Sequence, residues 1–291
     1  MEYLGWFLSV IMGLVMGLIG GGGSIITVPL LVYFYKIEPT KATLASLLVV
    51  GSTAIIGIFS AARQGNLRLR ESLIFAIPSL FGVVVSRVLL VPKMPDVIFH
   101  WEYLTLTKNV FLMAAFAGLM ILAATKMIRS GSANQGPMNP PEGLRHKKKE
   151  SKTLSSIWVR FRIPSQGLLV GLVTGFLGAG GGFLMIPALV FLIGLPMKQA
   201  VGTSLLIIAI NSLFGFFSDL IARLLIGGPE SIQSLPWTLL LTITVFAIGG
   251  LLIGSRIQHL LSDNLRKKIF GWIVLTLGSG ILLEQMTHIL N

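Results

Sequence analysis

Hydrophobic and polar positions divide the chain into long apolar segments separated by short polar breaks. Apolar runs of about 20 residues are long enough to cross a lipid bilayer as helices. The first half contains five apolar segments, the second of them short: roughly Tyr3–Ile19, Ser24–Tyr35, Thr40–Ala62, Arg70–Leu90 and Lys108–Met127. A run of four glycines, Gly20–Gly23, separates the first two. The pattern predicts an all-α integral membrane protein with broken helices or helical hairpins at the glycine runs.

The second half of the chain repeats the first. Residues 17–32 read GLIGGGGSIITVPLLV and residues 175–190 read GFLGAGGGFLMIPALV, with seven identities in 16 positions at a shift of 158. Residues 42–60 and 200–218 also share seven identities at that shift. A constant shift over several landmarks indicates an internal duplication. We therefore predict two homologous membrane repeats of about five helical segments each, 1–129 and 163–291, joined by a basic linker, 130–162.

The basic residues predict how the repeats are oriented. Nine of the 23 lysines and arginines lie between Lys126 and Arg162, which is typical of a cytoplasmic loop. If the first two segments return to the side they left, the second repeat is inverted and the basic cluster 266–268 is cytoplasmic too. If they make one crossing, the repeats are parallel and that cluster lies outside. Inversion explains more charges, so we predict inverted repeats whose glycine-rich joints meet near the membrane midplane.

Composition excludes several classes of protein. Hydrophobic residues make up 54% of the chain and charged residues 12%, against about 25% charged in soluble proteins. The chain has no cysteine, and its four histidines do not pair at ligand spacing, so we expect no metal and no cofactor. Motifs of membrane-embedded enzymes are missing from the sequence, and we expect a transport protein rather than an enzyme. More than half of the net charge of +12 lies between residues 126 and 162, as in a cytoplasmic loop, so the expected partner is a lipid bilayer and not nucleic acid.

The glycine joints are the first candidate site. Unwound backbone at membrane depth must be buried in protein or line a wet cavity. The short helix after each joint directs free N–H groups and a positive dipole end towards the joint, and glycine turns form anion-binding nests. We therefore expect an anion to bind there; the alternative is that the glycines only let helices pack closely. The candidate residues are Gly20, Gly21, Gly22, Gly23, Ser24, Gly178, Gly180, Gly181 and Gly182.

Polar residues in the following segment of each repeat are further candidates for substrate lining. They are Ser46 and Thr53 in the first repeat, and Thr203, Ser204 and Asn211 in the second. Ser46 matches Ser204 and Thr53 matches Asn211 at the shift of 158. Alternatively, such hydroxyls hydrogen-bond carbonyls of their own helix. Arg87 and Arg256 also match between repeats, and they either attract anions at a vestibule or extend towards the membrane surface at helix ends.

The two glycine–proline stretches, each followed by A-x3-S-L-L at Ala42–Leu48 and Ala200–Leu206, resemble the TauE/SafE sulfite exporter family. The resemblance covers both halves of the chain, although Ala179 replaces a glycine in the second joint. It implies a multi-spanning transporter of small sulfur-containing anions such as sulfite, sulfoacetate or related organosulfonates. We expect export by alternating access, in which the repeats rock around the two joints.

Two other functions remain open at this point. An anion channel would use the same helix dipoles without occluding its substrate. A membrane sensor or scaffold would use the linker to recruit partners, although the linker has no evident recognition motif. The sequence leaves the oligomeric state open, and a homodimer is expected only by analogy with other carriers.

Overall fold

The computed structural model describes residues 2–21, 23–95, 97–101, 104–132, 154–177, 182–227 and 235–290. The helices of the first half are α1 (Glu2–Ile19), α2 (Gly23–Pro29), α3 (Pro39–Arg63), α4 (Leu69–Val85), α5 (Val91–Lys93) and α6 (Lys108–Ser132). Those of the second half are α7 (Leu154–Leu177), α8 (Gly182–Pro187), α9 (Met197–Gly227), α10 (Trp237–Ile257) and α11 (Asp263–Leu290). Wider π-helical turns extend α2 over Leu30–Phe34, α4 over Ser86–Leu90 and α8 over Ala188–Ile193.

The described residues include five stretches that are long and apolar enough to cross a membrane. They are Lys41–Arg63, Leu69–Leu90, Val110–Arg129, Met197–Leu225 and Trp237–Leu260. Large apolar side chains also cover the outside of the bundle: Phe7, Phe59, Phe81 and Val245 are all more than half exposed. Soluble proteins do not expose apolar surface on this scale. The exterior is therefore suited to lipid, as expected of a multi-pass membrane protein.

The first two helices form a hairpin. The glycine joint reverses the chain, so that Gly23 packs against Met12 and Met16, and Gly5 packs against Tyr35. The chain after α2 therefore returns to the side from which α1 started. At about 1.5 Å per residue, α2 and its π-helical turn are too short to cross a bilayer core of about 30 Å.

Two pairs of helices pack in parallel with touching backbones. A Cβ atom added at Gly13 of α1 would overlap the carbonyl of Ala247 on α10, and one at Gly17 would overlap that of Leu251. Likewise, a Cβ at Gly171 of α7 would overlap the carbonyl of Ser79 on α4. These glycines serve the close packing that small residues permit between membrane helices. Each pair joins the first half of the chain to the second.

Two other pairs of helices pack antiparallel, again between the halves. Along α3 and α9, Leu47 lies beside Gly215, whereas Gly57 lies beside Leu205. Along α6 and α11, Gly271 packs near Ala124, whereas Gly278 packs near Ala117. In both pairs, rising numbers on one helix meet falling numbers on the other. The main buried core lies between these helices and includes Met16, Ile25, Phe116, Ile207 and Phe270.

The end of the bundle opposite the N-terminus of α1 carries many basic residues, and we call it the basic face. It is formed by the α3–α4 turn (residues 64–68), the start of α9, and the connection from α10 to α11. Hydrogen bonds join these parts: Gln258 Nε2 donates to Gln64 Oε1 at 2.6 Å, and Arg68 Nε donates to Gln199 Oε1 at 3.1 Å.

Two features differ from the sequence-based expectations. A short antiparallel hairpin, β1 (Val97–Trp101) with β2 (Leu104–Thr107), precedes α6, so the chain is not purely helical. Its sequence is rich in aromatic and β-branched residues, which favour strands. In addition, α6 extends to Ser132 and α7 begins at Leu154, both within the predicted linker. The remainder of that linker, 133–153, lies outside the described residues.

Candidate functional site

The two glycine joints meet inside the bundle. Gly20 ends α1 in a left-handed conformation, with φ of +86°, which favours glycine over other residues. Its neighbour Gly21 lies so close to Gly182, at the start of α8, that an added Cβ would overlap the Gly182 carbonyl. The sequence predicted that these two glycines belong to equivalent joints of two repeats. The structure brings the joints into direct backbone contact.

The first joint also touches α9. A Cβ added at Gly20 would lie 2.7 Å from the Ser204 hydroxyl oxygen and 3.0 Å from the Val201 carbonyl oxygen. Ser204 is fully buried at this point, whereas the equally buried Thr203 Oγ1 accepts a hydrogen bond from the Arg68 backbone N–H at 3.4 Å, on the basic face. The joint therefore combines backbone from α1, α2 and α8 with the Ser204 hydroxyl group of α9.

The buried hydroxyl groups are bonded within their own helices. Ser204 Oγ donates to the Val201 carbonyl at 2.8 Å, and Ser46 Oγ donates to the Thr43 carbonyl at the same distance. Thr53 Oγ1 donates to the Val49 carbonyl at 2.7 Å. This is the alternative that the sequence left open for them. In this conformation their hydrogens are engaged, and a role in lining a substrate stays a prediction.

Asn211 is placed differently, because part of its side chain has no partner. Its Nδ2 atom donates to Ser79 Oγ of α4 at 2.6 Å. Among the described residues, Asn211 Oδ1 and the neighbouring Ser212 Oγ have no hydrogen-bond partner, although both side chains are buried. Buried polar atoms without partners are rare in native proteins and require an explanation such as a bound water or ligand.

Serines Ser79 and Ser86 of the α4 segment are polar groups that the sequence did not single out as site residues. Ser86 Oγ is also buried without a partner among the described residues, and Ser86 packs against Gly175 just before the second joint. Its repeat-matched counterpart, Ser255, packs against Gly17 just before the first joint. The match of Ser86-Arg87 with Ser255-Arg256 was the available signal. Ser79 is a lone serine in an apolar segment, and no sequence pattern indicated it.

A narrow cavity lies between the first joint and the basic face. It has a volume of about 10 Å³ and is lined by Gly17, Gly57, Ser60, Ala61, Asn66, Lys198, Val201, Gly202, Leu205, Leu251, Ser255 and Gln258. This is room for a single water. A larger cavity of about 680 Å³ follows on the basic face and shares Asn66, Lys198, Ser255 and Gln258 with the narrow one. Arg256, a predicted vestibule residue, lines this larger cavity.

A cluster of hydrogen-bonded amide side chains lies where the two cavities adjoin. Gln64 Nε2 donates to the Ser255 carbonyl at 3.3 Å, and Gln64 Oε1 accepts from Gln258 Nε2 and Asn66 Nδ2. We call Gln64, Asn66 and Gln258 the amide latch. The latch ties the α3–α4 turn to the end of α10.

The remaining predicted site residues are only partly placed. Gly22, Gly178, Gly180 and Gly181 lie outside the described residues, as do the side chains of Ser24 and Arg87. Gly23 and Gly182 begin α2 and α8. Their free N–H groups therefore belong to the two helix starts that adjoin the joints.

A comparison with protein families now identifies the chain. The model of the family described as "Sulfite exporter TauE/SafE" matches residues 6–281, which include both joints and all the long helices. The chain belongs to the TauE/SafE sulfite exporter family. The resemblance noted in the sequence is thereby confirmed, and membership indicates a membrane transporter rather than an enzyme.

Curated relatives of this TauE/SafE protein carry transporter names. A "Probable membrane transporter protein" of Xylella fastidiosa is 28% identical over 271 residues, covering 92% of this chain and 90% of the relative. The "Probable membrane transporter protein YunE" of Bacillus subtilis is 27% identical, covering 74% of this chain and 77% of the relative. No solved structure matches the chain.

Proposed function

We propose that this TauE/SafE protein is a secondary transporter that exports a small sulfur-containing anion by alternating access. Sulfite, sulfoacetate and related organosulfonates are the proposed substrates. The observation that carries the proposal is the contact between Gly21 and Gly182, which joins two broken helices inside a transporter-family bundle. Broken helices whose N-termini meet at the centre are the usual way in which secondary transporters hold anionic groups.

The two halves are proposed to be inverted repeats. Helices that are equivalent at a shift of 158, α3 and α9, pack antiparallel. Their contacts are also reciprocal: Leu47 meets Gly215 and Gly57 meets Leu205, and at the shift of 158 Leu47 is equivalent to Leu205 and Gly57 to Gly215. In addition, α1 of the first half packs on α10 of the second, and α7 of the second half packs on α4 of the first. This reciprocal packing fits a two-fold relation between the halves. Rocking of one repeat against the other would then move the joints together.

The anion is proposed to lie beside the joints and the unpartnered polar atoms of α9. A sulfonate or sulfite group presents several oxygen acceptors and a negative charge. The N–H groups at the starts of α2 and α8 supply donors and a favourable dipole. Asn211, which already donates one hydrogen bond to Ser79, and Ser212 supply further amide and hydroxyl groups. Ser46, Thr53, Thr203 and Ser204 complete the proposed lining after a change of hydroxyl orientation.

We place the basic face and the linker in the cytoplasm, and the protein in the cell membrane. Arg63, Arg68, Arg256 and Lys267 belong to the same end of the bundle, as the positive-inside rule expects. With the cell interior negative, export of a monovalent anion is favoured by about 2.3 kcal/mol at 100 mV. A carrier of this kind needs no dedicated proton site.

A carrier is favoured over a channel by the narrow cavity beside the first joint. A volume of about 10 Å³ admits one water and no sulfonate, so substrate passage requires the surrounding helices to move. Counterflow at zero membrane potential separates the two mechanisms: liposomes that contain a carrier and are loaded with unlabelled sulfite are expected to take up labelled sulfite faster than unloaded ones, whereas liposomes that contain a channel are not.

The joint assignment is tested by currents from the purified protein in liposomes on a solid-supported membrane. The panel is sulfite, sulfoacetate, taurine, sulfate and chloride. We expect saturable currents with sulfite or a sulfonate and none with chloride. Gly21→Ala is expected to reduce them at least about tenfold, because its Cβ overlaps the Gly182 carbonyl.

The matched control is Gly249→Ala. A Cβ at this helical glycine of α10 would meet nothing within 4 Å, so the same chemical change is tolerated there. Thermal unfolding of both variants checks that they are folded. Wild-type currents from folded Gly21→Ala would contradict the assignment of the substrate site to the joints.

A further inference from the structure

The large cavity on the basic face is lined by several cationic and amide side chains. They are Lys198, Arg256 and Arg266, together with Gln64, Asn66 and Gln258. Three of these side chains carry a fixed positive charge, and among the described residues no carboxylate lines the cavity. Such a concave basic surface concentrates anions by focusing its electrostatic potential.

Arg266 is the unusual residue of this cavity. Its side chain is only 1% exposed, and its Nη2 atom forms an ion pair with Asp263. Among the described residues, its Nε and Nη1 atoms have no hydrogen-bond partner. A buried guanidinium with two unused donors is costly unless a further group satisfies it. The unused donors therefore point to a bound ligand that accepts hydrogen bonds.

The guanidinium, with its planar arrangement of donors, is suited to oxyanions. Arginine binds carboxylate, phosphate and related groups through two parallel N–H bonds. Exposed Lys198 and Arg256 add charge at the same cavity, and Gln258 is 93% buried with its amide at the cavity wall. A volume of about 680 Å³ accommodates an organic anion together with waters.

We propose that this cavity is a second anion site, distinct from the joints, which binds a small oxyanion through Arg266, Lys198 and Arg256. It lies outside the amide latch, so it would hold the anion before the passage to the joints opens. The binding itself is independent of transport; only the role as an access site rests on the proposed function. The shared chemistry is that of a tetrahedral or pyramidal oxyanion, carried either by a soluble ion or by a phospholipid headgroup.

Equilibrium binding tests the proposal. The full chain is placed in phosphatidylcholine nanodiscs, and sulfate and sulfite are titrated calorimetrically at constant ionic strength in gluconate. Arg266→Gln is expected to weaken binding at least about tenfold, as for the loss of hydrogen bonds to a charged group. The exposed double variant Lys198→Gln/Arg256→Gln is expected to weaken it severalfold. It also keeps the test valid if Arg266→Gln is unfolded.

The matched control is Lys268→Gln, which removes one positive charge from the same helical turn without touching the cavity. It is expected to bind within about twofold of the wild type. If Lys268→Gln weakened anion binding as much as the cavity variants do, general charge attraction would explain the binding, and the proposal would be overturned. Wild-type affinity in the cavity variants would also overturn it, as would no binding of sulfate, sulfite or lipid by the wild-type protein.

A second arm distinguishes soluble and lipid ligands. Nanodiscs containing phosphatidylglycerol supply the same phosphate chemistry from the bilayer. If the lipid competes with sulfate in the wild type but not in Arg266→Gln, the headgroup occupies the site. Gly21→Ala separates this proposal from the proposed function: it is expected to bind sulfate normally, although its transport currents fall at least about tenfold. Normal transport by Gly21→Ala would refute the joints as substrate site and leave the cavity site intact.

Discussion

At the scale of single residues, the side chain of Asn211 allows a role in substrate binding to be distinguished from a role in helix packing. Its Nδ2 atom fastens α9 to Ser79 of α4, whereas its Oδ1 atom has no partner in the described part of the chain. If the amide also binds substrate, then Asn211→Ala removes more than the helix contact. We expect the rate of sulfite transport to fall at least about tenfold, with a loss of stability of about 1 kcal/mol.

Ser79→Ala is the matched control for this prediction. It removes the same interhelical hydrogen bond but leaves the Asn211 amide in place, so transport is expected to stay within about threefold of the wild type. Transport rates and thermal unfolding midpoints of both variants are measured side by side. Equal loss of transport in the two variants would mean that Asn211 only joins the helices.

Sequence patterns predicted some of these residues and not others, for physical reasons. The joint glycines were predictable because a reversal of the backbone restricts the residue type. The same glycine run therefore occurs in both halves of the chain, at a shift of 158. The orientation of the serine and threonine hydroxyl groups was not predictable. It depends on whether the nearest acceptor is a carbonyl of the same helix or a group on another helix. Ser79 lies 132 residues from Asn211, and only the fold brings them together. Arg266 was predicted only as part of the cytoplasmic basic cluster 266–268, and its burial is visible only in the fold.

At the scale of elements, the apolar segments located the helices within a few residues, because bilayer length limits their size. No sequence pattern indicated the π-helical turns after α2, α4 and α8, which depend on how the helices pack. The amide latch is also an element-scale feature, since it ties the α3–α4 turn to the end of α10. In the proposed transport cycle, opening towards the basic face would require these elements to separate.

We therefore predict that Gln64→Ala opens the narrow cavity towards the basic face. The chain has no cysteine, so a single cysteine introduced by Ala61→Cys, at a buried position that lines the narrow cavity, reports on that cavity. Losing the latch hydrogen bonds, each worth about 1 kcal/mol, is expected to raise its labelling rate by a membrane-impermeant maleimide about fivefold or more. Labelling is followed in vesicles that expose the basic face.

Arg63→Gln is the control for the latch. It changes an exposed residue at the end of α3, next to Gln64, that lines neither cavity. It is expected to leave the labelling rate of the introduced cysteine unchanged. If Gln64→Ala also left that rate unchanged, the latch would not control access to the cavity.

At the scale of the whole molecule, each of the four pairs of long helices described above joins the first half of the chain to the second. Parallel pairing places α1 on α10 and α7 on α4, while antiparallel pairing places α3 on α9 and α6 on α11. Neither half can bury its small-residue faces without the other. The covalent connection between α6 and α7 is therefore not what holds the halves together.

Expressing residues 1–132 and 154–291 as separate chains tests this view of the molecule. Close backbone contacts at Gly13, Gly17 and Gly171 are expected to keep the halves associated, so that a tag on one half copurifies the other in detergent. Sulfite transport should stay within about threefold of the intact chain, because the joints meet through packing. Gly17→Leu in the first chain is the matched disruption, since its side chain collides with the backbone of α10. Loss of association in the unmodified pair would show that the linker, and not the exchange of helices, holds the repeats together.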